Sequence, residues 1–138
     1  MKLKKNAFIF LNIVVPLILG LIIYVFMKNG TYINTFLKTE SDYYPESILG
    51  VFIVNWFCDF LWAYALLFLL YFVLFPFQNR IAISSVMTFV LGTILEILQK
   101  FDVLTGTFDW WDIVIETIAV IVSVINLFFI NKKFATEK

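Results

Sequence analysis

Histidine is missing from this chain of 138 residues, and cysteine occurs once. Without an imidazole there is no Ser–His–Asp triad, no histidine general base, and no basis for most zinc sites. The lone Cys58 cannot close an internal disulfide and says little about redox compartment. Charge is scarce as well: 14% of residues are charged, and ten basic side chains balance ten acidic ones. No basic patch exists to hold a nucleic acid. Only three prolines and five glycines interrupt the chain, so long stretches run without a helix breaker.

Hydrocarbon fills the space. Hydrophobic residues make up 62% of the chain and the mean hydropathy is +0.96, against about 45–50% apolar residues in a soluble domain. Burial in a globular core cannot hide that much apolar surface, so the surrounding solvent is lipid. One integral membrane domain, residues 1–138, accounts for the length.

Crossing the hydrocarbon takes about 20 helical residues. Four stretches qualify, at 7–27, 56–75, 81–99 and 111–130. Lys2, Lys4 and Lys5 ahead of the first stretch resemble the start of a signal peptide. The apolar run, however, is longer than the roughly 7–15 residues of a signal core and has no small-residue cleavage site. It reads as a retained helix kinked at Pro16. The connection Phe75-Pro-Phe-Gln-Asn-Arg80 is short and makes the second and third spans antiparallel neighbours, while Ser41-Asp-Tyr-Tyr-Pro45 marks a loop. Residues 47–58 are apolar but too short to span. Fused to the second stretch they would give a helix of roughly 43 Å at about 1.5 Å per residue, longer than the hydrocarbon core of about 30 Å. Tilt, a break near Asn55 or an interfacial position would reconcile this. The expected fold is therefore all-α: a four-helix transmembrane bundle with an interfacial or re-entrant segment before the second span.

An even number of spans puts both termini on one side. That side carries Lys2, Lys4, Lys5, Arg80, Lys132, Lys133 and Lys138; the other carries Lys28, Lys38 and Lys100. The positive-inside rule then places both termini in the cytoplasm. Trp56, Trp62, Trp110 and Trp111 all fall towards the outer interface, where indole rings favour the headgroup zone.

Against this background the acids stand out. With about 100° per residue, Ser85, Thr88, Gly92, Glu96 and Gln99 share one face of the third span. Asp112, Glu116, Ala119, Ser123 and Asn126 share one face of the fourth, and Asn55, Asp59, Trp62 and Ala63 one face of the second. Small and hydroxylated residues on such faces are ordinary helix-packing positions. Carboxylates are not needed for packing, and an acid inside a membrane segment is a functional-site candidate by default. The expected ligand-binding set is Asp59, Trp62, Glu96, Gln99, Asp109, Asp112 and Glu116. Asp109 also suits the N-cap of the fourth helix, a structural role that needs no ligand. If the faces meet, like charges gather with Lys100 as the only base nearby. Such acids either share protons, hold a divalent cation such as Ca²⁺, Mg²⁺ or Mn²⁺ on Glu96, Asp112 and Glu116, or bind a cationic or hydroxyl-rich ligand.

At these positions the chain resembles the VanZ-like family of small bacterial membrane proteins. The matching pieces are Asp59-Phe-Leu-Trp62-Ala-Tyr64 opening the second span, Glu96-Ile-Leu-Gln99-Lys-Phe101 closing the third, and Gly106-Thr-Phe-Asp109-Trp-Trp-Asp112 opening the fourth. They lie in order within residues 59–130, about half the chain. Thr105-Gly-Thr107 occupies a region where the family often carries an arginine, and Glu116 stands where an asparagine is common. This version of the site is therefore the more negative. The resemblance implies a cell-envelope protein of the cytoplasmic membrane, linked to glycopeptide resistance or envelope homeostasis and without an established catalytic mechanism. Its expected partners are membrane lipids, a lipid-linked envelope precursor, a glycopeptide antibiotic or another membrane protein. A transporter of a cation or metal complex is the alternative, although no inverted repeat is evident. Paired carboxylates alone can also do acid–base chemistry, but no nucleophile–base pair or phosphate cradle accompanies them.

Overall fold

The computed structural model describes residues 2–27, 36, 47–104 and 108–136. The expected loop at 41–45 and the stretch 105–107 lie outside the described residues. Every regular element among the described residues is helical, and four helices are long and apolar enough to cross a membrane. That is the expected architecture, and the physics behind it is backbone satisfaction: in hydrocarbon each N–H and C=O must find its partner within the segment.

Helix α1 is Lys2–Phe26 and carries Pro16 inside it without ending. Helix α2 is the continuous run Ile48–Val73. It opens as a short α-turn capped by Ser47, whose hydroxyl accepts from the Gly50 amide at 3.1 Å. It then passes through a π-helical turn, Ile53–Phe57, and continues as regular α-helix over Cys58–Val73. Phe52, Ile53 and Cys58 all stay in the right-handed helical region across these joints. The expected separate interfacial or re-entrant piece is therefore part of the second helix, whose start moves from 56 to Ile48. The physical reason is the π-turn: it takes up an extra residue near Asn55 without breaking the helix. Asn55 is exposed and Asp59 half-buried.

Pro76 cannot extend α2, and the chain turns with Phe77 N–H bonded to Leu74 C=O at 3.0 Å. The Arg80 guanidinium closes the corner, 4.1 Å from the Tyr71 ring centroid and 5.3 Å from that of Phe75. Helix α3, Arg80–Lys100, starts there. It ends in a Schellman motif: Asp102 N–H bonds Gln99 C=O at 3.0 Å and Val103 N–H bonds Leu98 C=O at 2.9 Å. Asp102 takes the left-handed position, φ 55°, that glycine usually fills. Helix α4 is Trp110–Thr136.

α2 is the central helix, packing against α1, α3 and α4. The contacts fix the direction of each helix. Tyr64 reaches Asn12 while Cys58 meets Gly20, so α1 runs antiparallel to α2; Tyr64 reaches Asn126 while Tyr71 reaches Asn131, so α4 runs parallel to it. The Lys133 ammonium lies 6.0 Å from the Phe8 ring centroid. The start of α1 and the end of α4 therefore share one end of the bundle.

The core is built around Ile9, Ile13, Leu67, Phe68, Tyr71, Leu127 and Ile130. Outside it the usual distribution is inverted: Phe10, Ile18, Val86, Ile121 and Phe128 are exposed, while Ser84, Thr88, Glu96, Glu116 and Ser123 are buried. Apolar outside and polar inside is the arrangement lipid selects. The buried face of α3 is Ser84, Thr88, Gly92 and Glu96. Ser85, expected on it, is half-buried, and Ser84 takes its place.

Candidate functional site

Gly92 and Glu116 mark the crossing of α3 and α4. A Cβ built on Gly92 would stand 2.6 Å from Glu116 Cδ and 2.8 Å from Oε1, and would overlap Oε2. The carboxylate thus lies directly against the α3 backbone, in space that only glycine leaves open. Glu116 is 4% exposed. Among the described residues no hydrogen-bond donor reaches it. Three further carboxylates, Asp59 from α2, Glu96 from α3 and Asp112 from α4, lie close enough to act on its charge.

The rim of this cluster is set by Asp109, just before α4. Its carboxylate accepts from the Trp111 amide at 3.0 Å, which satisfies one of the free donors at the helix start. The expected cap is therefore formed. The same side chain accepts from Trp56 Nε1 at 3.4 Å, and the Asp109 amide donates to Glu96 Oε2 at 3.4 Å. One residue ties the starts of α2 and α4 to the end of α3. Trp56 and Trp111 complete the rim, with ring centroids 6.4 Å apart.

Lys100, the expected nearby base, points its ammonium at the Phe108 ring, 5.1 Å from the centroid. No ion pair joins it to a described carboxylate. Deeper along the α3 face, Thr88 Oγ1 is buried without a hydrogen-bond partner, as is Thr93 Oγ1. By contrast Ser84, Ser85, Thr117 and Ser123 turn their hydroxyls back onto their own helices.

The structure brings together Asp59, Glu96, Asp109, Asp112 and Glu116 from the expected set. Gln99 stands apart: its carbonyl serves the Schellman turn, and its side-chain amide has no described partner. Trp62 also stands apart from the carboxylates. It lines an apolar groove of about 330 Å³ between α1 and α2, with Pro16, Leu17, Gly20, Leu21, Tyr24 and Cys58. The metal expectation fares differently. Among the described residues, Glu96, Asp112 and Glu116 do not form a group of three or more ligands placed to hold a metal ion.

One polar centre was not expected from the sequence. The Tyr64 hydroxyl donates to Asn12 Oδ1 at 2.5 Å. Asn126 Nδ2 donates to Tyr64 Oη at 2.5 Å and to Asn12 Oδ1 at 3.2 Å. Asn126 lies on the polar face expected for the fourth span, and Asn12 is a polar residue in the apolar run of the first. Tyr64, an aromatic in an aromatic-rich helix, carried no signal of its own.

Chemically, the cluster gathers carboxyl groups, which accept hydrogen bonds when ionised and also donate one when protonated. No protein family, curated protein or solved structure matches the chain.

Proposed function

We propose that this chain is a VanZ-like, multi-pass protein of the bacterial cytoplasmic membrane that binds an envelope ligand through an outward acidic site, without catalysing a reaction on it. The ligand is the polar head of a lipid, an envelope precursor, a glycopeptide or a partner protein, and the role is antibiotic resistance or envelope homeostasis. The observation that carries this reading is Glu116: a carboxylate 4% exposed, among three other acids, held against Gly92 with no described donor. Such an arrangement is costly in apolar surroundings and is relieved by a donor-bearing ligand. The outward placement rests on the seven Lys and Arg residues assigned to the opposite side against three on this one. The family motifs at Asp59, Glu96 and Asp109–Asp112 support the envelope setting.

The test is a strain lacking the gene, complemented with the wild type, Glu116→Gln or Asp59→Asn and challenged with teicoplanin. Immunoblotting of membranes controls for abundance. Both variants are expected to reach wild-type levels and to lose the survival advantage. Full survival with either variant overturns the reading. Glu116-dependent uptake of a cation by purified protein in liposomes would replace it with transport.

A further inference from the structure

The end of the bundle away from the acids gathers cations from three helices. Lys4 and Lys5 lie at the start of α1, Arg80 opens α3, and Lys132 and Lys133 lie near the end of α4. The described carboxylates, Asp59, Glu96, Asp102, Asp109, Asp112 and Glu116, all belong to the other end. Two of the cations are built into the fold. Arg80 is half-buried, and its guanidinium carbon sits 4.1 Å from the Tyr71 ring centroid and 5.3 Å from that of Phe75. Tyr71 is buried and its hydroxyl donates to Asn131 Oδ1 at 2.9 Å, so the ring beneath Arg80 is fixed to α4. Lys5 is half-buried too. One turn on, Ile9 shares the core with Tyr71 and Ile130, and Ile81 packs against it. The starts of α1 and α3 therefore meet at one corner, where Lys5 stands near enough to feel the charge of Arg80.

Two like charges drawn partly out of water are costly unless an anion lies between them. No described carboxylate supplies it. The surroundings decide where the anion comes from. Lys5 falls inside the apolar span Leu3–Phe26, and Phe8, Phe75 and Phe77 are exposed beside the pair. An anion that reaches this corner is carried by an amphiphile. A phosphodiester matches the donors: its oxygens accept from the planar guanidinium and from the ammonium together. Basic pockets between membrane helices are settings for anionic lipid heads. We propose that Lys5 and Arg80 form a binding site for the phosphate of an anionic membrane lipid, at the corner where α1 and α3 begin. The site uses none of the carboxylates, so it stands or falls apart from the envelope ligand.

The full-length protein in detergent is titrated with phosphatidylglycerol and with phosphatidylcholine, which carries the same phosphate beside a cation. Bound lipid is counted by native mass spectrometry. The wild type is expected to retain phosphatidylglycerol about tenfold tighter than phosphatidylcholine. The variant Lys5→Gln with Arg80→Gln should lose that preference. Lys4→Gln with Lys132→Gln removes two exposed cations from the same end and should keep it. Lys5→Gln alone replaces the first double variant should that one fail to fold, with the same loss expected. Equal retention of the two lipids by the wild type overturns the proposal. Equal loss of preference in the two double variants overturns it as well, since the attraction would then be diffuse. Bound phosphatidylglycerol should survive millimolar inorganic phosphate; its displacement would assign the corner to free phosphate and overturn the lipid.

Discussion

Gly92 and Glu116 constrain each other, since the carboxylate occupies the volume that any other side chain on Gly92 would need. Gly92→Ala is therefore expected to push the Glu116 side chain from its place and to destabilise the bundle by about 1–3 kcal/mol, the usual range for overpacking. Adding Glu116→Ala should recover most of that loss, because it removes the clashing group. A double-mutant cycle from thermal unfolding in detergent measures the coupling. Additive losses would mean that the two residues do not meet. Some of this was legible beforehand. Gly92, Glu96 and Glu116 fall on polar faces by the 3.6-residue period alone. The pairing of Gly92 with Glu116 was not, because it depends on the relative heights of α3 and α4, which the unread connection 101–109 sets. The fate of Gln99 was hidden for a related reason. It shares the face of Glu96 by periodicity, but the Schellman turn that follows draws its backbone into the helix end.

At the scale of elements, Asp109 holds the start of α4 by bonding the Trp111 amide and holds α2 through Trp56. Its cap role and its charge can be separated. Asp109→Asn keeps an oxygen for the Trp111 amide and should lose only a few tenths of a kcal/mol, whereas Asp109→Ala should lose about 1 kcal/mol. Hydrogen exchange at the amides of residues 110–113 is expected to speed up in the alanine variant alone. Equal exchange in both variants would count against capping. The cap was readable from the order Asp109-Trp-Trp-Asp112 ahead of an apolar run. The course of α2 was not. A fixed period cannot represent the extra residue that the π-turn at Ile53–Phe57 takes up. The length argument that separated 47–58 from the second span fails there: 26 residues of continuous helix exceed the hydrocarbon thickness, and tilt or overhang absorbs the difference.

For the whole molecule, composition settled the solvent and hence the fold class, because a chain this apolar can satisfy its backbone in lipid only by closing it into helices. Composition does not say how those helices recognise one another, since lipid tails and leucine side chains are equally apolar. The answer is polar and lies on both sides of the core. At one end Asp109 joins α2, α3 and α4. Towards the other, Asn12, Tyr64 and Asn126 join α1, α2 and α4, with Tyr71 bonded to Asn131 at 2.9 Å beyond them. Helix α1 is tied to α2 through Asn12, whose side-chain oxygen accepts from the Tyr64 hydroxyl at 2.5 Å. Tyr64→Phe removes that hydroxyl and leaves Asn12 with only Asn126 across the seam. The expected cost is about 1 kcal/mol, within the range of hydrogen bonds between membrane helices. Asn126→Leu in the same background should add little, because its principal partner is already gone. The measurement is reversible unfolding in mixed micelles for the wild type, both single variants and the double. A coupling energy near zero would show that each group finds another partner, and that α1 is held by shape rather than by this bond.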